Sequence, residues 1–156
     1  MILPRSPSFR LDGRRALVTG AGRGIGLAMA AALAEAGAAV TLAARTAGEI
    51  AAAADTIGKA RGTAEAAVLD VSDRAAVAAF FAAQPAFDVL VNNAGTNRPM
   101  PMWQVDETDY DAVLGLNLKA AFFVAQACAR RMIETGTRGS LIHMGSQMGQ
   151  IGRAHV

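Results

Sequence analysis

Four glycines, Gly20, Gly22, Gly24 and Gly26, stand at alternate positions, and what flanks them narrows what the chain can fold into. Ahead of them lies a short apolar run, Ala16-Leu17-Val18. Behind them, residues 25–36 are rich in strong helix formers and stop at Gly37. The pattern reads as a strand that breaks into a glycine-dense turn and re-emerges as a helix. Glycines let a backbone turn tightly and approach a diphosphate closely. A helix starting near Ile25 points its free N–H groups at the same spot. The turn also reads as a tight strand-to-helix connection with no ligand.

The rest of the chain repeats the alternation. Residues 39–43 read as a second buried strand and 47–59 as a helix. Residues 66–69 form a third strand ending at Asp70, and Ser72-Asp73 opens a helix that fades near Pro85. Residues 89–91 are a fourth strand, followed by Asn92-Asn93-Ala94-Gly95. A loop over 96–106 carries Pro99, Pro101 and an isolated Trp103. A long helix then spans 108–134. Thr108 and Asp111 resemble a capping box at its start, and Gly136 and Gly139 bound its exit. Residues 140–144 are a fifth strand and 145–156 a loop. Residues 1–11, with Pro4 and Pro7, read as a leader, and 12–156 as one domain.

Short apolar strands alternating with longer helices give βαβ units, hence a parallel sheet with helices on both faces. The expected fold is α/β, a Rossmann-type doubly wound sheet of five strands in the order 3-2-1-4-5. Its strands should be continuous apolar runs because both faces are covered.

Composition removes other classes. The chain is 53% hydrophobic and 18% charged, which argues against disorder. The net charge of +2 comes with no basic run, so nucleic acid is not indicated. No stretch reaches about 18 consecutive apolar residues, so no membrane span is expected. The single Cys, Cys128, excludes a disulfide framework and a Cys-based zinc site, and fits a reducing, cytoplasmic setting. Cys128 reads as a packing residue and His143 as a buried, hydrogen-bonded one. His143 and His155 lack metal-ligand spacing, so no metal site is expected.

Five motifs occur in order: Thr-Gly-x-x-x-Gly-x-Gly over 19–26, Asp70-Val71 after the third strand, Asn92-Asn93-Ala94-Gly95, Asn117 in Gly-Leu-Asn-Leu-Lys, and Ser146 after the fifth strand. Together they resemble the short-chain dehydrogenase/reductase family. The resemblance implies that Gly20, Gly24, Ile25 and Gly26 hold a cofactor diphosphate, and that Asp70 and Val71 contact its adenine. Asn93, Ala94 and Gly95 would line the cofactor groove. Ser146 matches the catalytic Ser that stabilises charge on the substrate oxygen, and Asn117 the residue that holds a relay water. Asp70 also reads as a helix cap, 92–95 as a strand-ending turn, and Asn117 as a helix irregularity.

Cofactor choice follows from charge. A carboxylate at the end of the second strand binds the ribose hydroxyls of NAD and repels a 2'-phosphate. That place is Ala44 here, followed by Arg45, with Arg23 nearby in the glycine turn. Two guanidinium groups suit a phosphate, so NADP is preferred over NAD. Arg45 also reads as an ordinary solvated charge.

The resemblance implies hydride transfer between NADP(H) and a small alcohol or ketone, and a homo-oligomer joined through helix 108–134. The family's proton donor is a Tyr followed four residues later by a Lys. Tyr110 is the only Tyr, and Lys59 and Lys119 are the only lysines, so that pair is absent. The chain therefore reads as a fragment, inactive alone and marginally stable or self-associating. The alternative is a non-catalytic dinucleotide-binding or assembly module. The walls of the substrate site, Met100, Met102 and Trp103 among them, read equally as residues packed under their loop.

Overall fold

A computed structural model describes residues 8–146. Most of the leader, residues 1–7, and the stretch 147–156 with His155 lie outside the described residues. Strand β1 (Arg15–Thr19) leads into α1 (Gly24–Glu35), β2 (Ala39–Ala44), α2 (Ala47–Lys59), β3 (Thr63–Val68), α3 (Arg74–Ala83) and β4 (Val89–Asn92). A single 3₁₀ turn, Met102–Gln104, interrupts the following loop. Helix α4 (Glu107–Leu114), a π-helical turn (Gly115–Ala120) and α5 (Ala121–Thr135) then run as one 29-residue helix. Strand β5 (Ser140–His143) follows.

The sheet has five parallel strands in the order β3-β2-β1-β4-β5, as the sequence predicts. Alternation along the strands sorts their side chains into two cores. Ala16, Val18, Val40 and Leu42 meet one cluster with Ala30, Ala53 and Ile57 of α1 and α2. Leu17 and Leu90 meet the other, with Val77 and Phe81 of α3 and Val124, Cys128 and Met132 of α5. Burial of each large side chain is worth about 1.5–3 kcal/mol, so the central strands anchor both layers. Cys128 is a packing residue, and burial pushes its thiol up to about 11.

Several expectations are corrected. Strand β3 begins at Thr63, not 66, because a strand at the sheet edge tolerates polar residues such as Glu65 on its open side. Its residues are exposed or half-buried, and β5 is exposed throughout. Only β1, β2 and β4 are the doubly covered apolar strands expected. His143 is exposed because it lies on that open strand. The long helix is capped by Asp106, whose side chain accepts from the Asp109 N–H at 2.7 Å, rather than by a Thr108–Asp111 box. Met102 and Trp103 are both more than 80% exposed, so they do not pack under their loop.

Helix ends follow local chemistry. Gly37 and Gly136 take the left-handed conformation that follows a helix C-terminus. Asp73 caps α3 by accepting from the Ala75 and Ala76 N–H groups. Helices α1 and α2 differ: no side chain caps either N-terminus.

Candidate functional site

The chain runs β1 to β3 toward one edge and then crosses to β4 and β5 on the other. A crevice forms outside the carboxyl ends of strands at such a reversal. Here it is a cleft of about 200 Å³ lined by Gly20, Gly22, Arg23, Ala43, Ala44, Arg45, Thr46, Glu49, Leu69, Asp70, Val71, Ala94, Gly95 and Leu116. The sequence-predicted residues Gly20, Arg23, Arg45, Asp70, Val71, Ala94 and Gly95 all fall on this one surface.

The glycine turn is fixed from behind. The Thr19 hydroxyl is fully buried and accepts from the Asn93 and Ala94 N–H groups, both at 3.0 Å. Asn93 Nδ2 donates to the Thr19 and Gly20 carbonyls at 3.0 and 3.2 Å. Asn93 therefore ties β4 to the turn and stands behind the cleft rather than on its surface. Gly26 sits against the same carbonyl. A methyl there would collide with Gly20 O and lie 2.6 Å from Asn93 Nδ2. Gly20 and Gly24 both have positive φ. The first turn of α1, with Gly24, Ile25 and Gly26, is thus held close to the end of β1 with its N–H groups uncapped.

Charge at the cleft is predominantly positive on one side. Ala44 ends β2, so no carboxylate stands there. Arg45 makes no hydrogen bond or ion pair among the described residues. Arg23 has a loose ion pair, Nη1 to Glu49 Oε1 at 3.6 Å, and is 86% exposed. Asp70 is turned inward on itself: its Oδ1 accepts from the Ser72 hydroxyl at 2.6 Å and the Ser72 N–H at 2.9 Å. Those bonds, aided by the Arg45 charge and opposed by partial burial, hold its carboxyl below the usual carboxylate range. Asp70 does not cap α3; Asp73 does.

Beyond the cleft, Asn117 lies in the π-helical turn. Its Oδ1 accepts from the Thr96 N–H and its Nδ2 donates to the Thr96 carbonyl, each at 2.8 Å. The helix irregularity and the satisfied amide expected from the sequence are both present. Both side-chain polar atoms are spent on Thr96 in the loop after Gly95. Asn92 pins the other end of the turn, donating from Nδ2 to the Ala121 carbonyl at 2.6 Å. Ser146 is exposed just past β5, at the same carboxyl edge of the sheet.

A family model described as short chain dehydrogenase matches residues 14–156. The chain belongs to the short-chain dehydrogenase family. Gluconate 5-dehydrogenase from Gluconobacter oxydans is 41% identical over 152 residues, covering 95% of this chain and 59% of that protein. D-threitol dehydrogenase from Mycolicibacterium smegmatis is 41% identical over 143 residues, covering 89% and 55%. The crystal structure of a gluconate 5-dehydrogenase from Burkholderia cenocepacia J2315, in complex with NADP and tartrate, matches with a TM-score of 0.84 at 44% identity, covering 94% of this chain and 58% of that one. The chain thus spans under two thirds of the length of these short-chain dehydrogenases.

The sequence motifs contain Thr19, Gly22, Asn92 and Leu116 without giving them a role, and Glu49, which also lines the cleft, lies outside them. Thr19 and Asn92 carried a signal, as polar residues ending apolar strands. Glu49 carried none, because an acidic residue in a first helical turn is ordinary.

Proposed function

We propose that this chain supplies the cofactor-holding part of an NADP(H)-dependent oxidoreductase that interconverts a small polyhydroxy alcohol and its ketone. The observation that carries the reading is the cleft wall at the end of β2. Ala44 stands where a ribose-binding carboxylate would be, flanked by Arg45 and by Arg23 across the glycine turn. A relative with NADP bound and relatives named for gluconate and threitol support the cofactor and the substrate class.

The residues fit a dinucleotide. The first turn of α1, with Gly24, Ile25 and Gly26, has no side-chain cap on its amides, and Gly20, Gly24 and Gly26 carry no side chain to keep a diphosphate away, while the Ile25 side chain stands exposed beside them. Asp70 and Val71 border the adenine end, and Ala94 and Gly95 the groove. Asn93 braces that groove from behind. When bound, the nicotinamide group gives or takes the hydride. Ser146 donates a hydrogen bond to the substrate oxygen and stabilises charge there. Asn117 fixes the loop that borders the substrate and stands beside the relay water. The 156 residues contain no Tyr-x-x-x-Lys pair.

The long helix pairs with a second copy in this reading. Leu118 and Phe122 are 64% and 58% exposed on it, a surface suited to an apolar partner. The setting is the cytoplasm, where the lone thiol of Cys128 stays reduced.

Calorimetric titration of the full chain tests the cofactor assignment. NADP+ is expected to bind more tightly than NAD+, and Arg45→Ala to lose roughly tenfold or more for NADP+ alone. Equal affinities, or no heat with either, would overturn the reading.

A further inference from the structure

Two carboxylates, Glu49 and Asp70, line the cleft, and Glu49 is the one in an ion pair with a cleft arginine. It occupies the first turn of α2, immediately before Ile50, which is fully buried. Its side chain lies over the glycine turn. A methyl added to Gly22 would sit 3.1 Å from Glu49 Oε2, 3.2 Å from its Cβ and 3.6 Å from Ile50 Cγ2. Gly22 therefore gives this carboxylate its seat, and buried Ile50 holds the backbone beneath it. From there Glu49 reaches Arg23 at 3.6 Å.

Two charges of opposite sign at that separation and exposure form a weak pair that a stronger anion can break. A phosphate dianion is such an anion, and it takes a guanidinium by paired hydrogen bonds. The same carboxylate also repels a phosphate directly. Nothing equivalent acts on a ribose hydroxyl, which is neutral. Resting on the NADP reading above, we propose that Glu49 is a specificity-determining residue. Its carboxylate competes with a 2'-phosphate for Arg23 and so limits how strongly the cleft prefers the phosphorylated dinucleotide.

Arg45 and Arg23 then divide the work. Arg45 forms no ion pair among the described residues, although its charge acts on the nearby Asp70 carboxyl, and it is available at once. Arg23 is held by Glu49 until a phosphate displaces it.

Titration of NADP+ and NAD+ into the full chain, by calorimetry, tests this with Glu49→Gln, Arg23→Ala and the double variant. Glu49→Gln keeps the size and packing of the side chain and removes its charge. It is expected to tighten NADP+ about fivefold and to leave NAD+ unchanged. In the Arg23→Ala background the gain should shrink to less than half. The thermal midpoint should fall only by the small amount that loss of a first-turn carboxylate entails, which separates the effect from a packing role. The proposal is overturned if Glu49→Gln leaves the NADP+ to NAD+ affinity ratio unaltered. It is overturned equally if NAD+ weakens, since Glu49 would then be accepting ribose hydroxyls. The wild-type ratio decides the NADP reading separately: a chain without NADP+ preference whose ratio still rises about fivefold in Glu49→Gln would retain the Glu49 role and lose that reading. Absence of binding by either dinucleotide would remove both.

Discussion

Asn117 grips Thr96 by both of its backbone polar groups, accepting from the N–H and donating to the carbonyl, each at 2.8 Å. One side chain thereby sets the course of the loop that leaves Gly95. Asn117→Ala removes both bonds and should cost about 1–2 kcal/mol. Hydrogen exchange at the Thr96 amide should accelerate in Asn117→Ala, while Asn117→Asp, which keeps the acceptor, should retain protection. Unchanged exchange in the Ala variant would refute the grip.

Thr19 makes a stronger demand. Its hydroxyl is the acceptor for two consecutive backbone N–H groups, those of Asn93 and Ala94. Thr19→Val is close in shape and strands both donors in the interior. Urea denaturation should record a loss of about 2–4 kcal/mol, and Thr19→Ser should recover most of it. Equal stability of the Val and Ser variants would contradict this role.

The glycines of the turn differ in what they tolerate. Gly26→Ala drives a methyl into Gly20 O and Asn93 Nδ2, and should cost about 3 kcal/mol or more. Gly24 has open space around it and only a positive φ to satisfy. Gly24→Ala should cost about 1–2 kcal/mol. Thermal denaturation of the two single variants should rank them in that order.

Asp70 makes a pH-dependent contribution. Its folded carboxyl is held below the unfolded value of about 4 by the two Ser72 bonds. A depressed carboxylate stabilises the fold above the unfolded value, and that contribution is lost as pH falls through the folded one. Ser72→Ala should raise the Asp70 value, as read by NMR titration. The stability difference between Ser72→Ala and the parent should be present at neutral pH and vanish in acid below that range.

The strand order and the five strands can be read from the alternation of apolar runs with helix formers, because the central strands are buried on both faces; the 3₁₀ turn at Met102–Gln104 cannot. Nor can the edges. β3 and β5 lack that burial, so the apolar pattern starts β3 three residues late and buries His143, which is exposed. The cleft residues with unusual chemistry, glycines and arginines at strand ends, announced themselves. Thr19, Asn93 and Asn117 act through partners 21 to 75 positions away, and no local pattern records such distances. The cap at Asp106 is masked in the sequence by the competing motif that Thr108 offers two residues on.

The π-helical turn over Gly115–Ala120 inserts an additional residue per turn, which rotates everything after it by about 100° relative to a regular helix. The two halves are therefore indexed separately. The first half can be aimed by its hold on the loop, while the second is aimed by the fit of Val124, Cys128 and Met132 against the sheet. A regular rod would have to satisfy both alignments with a single angle. This one has a swivel built in, so sequence drift in either half can leave the other half's aim intact.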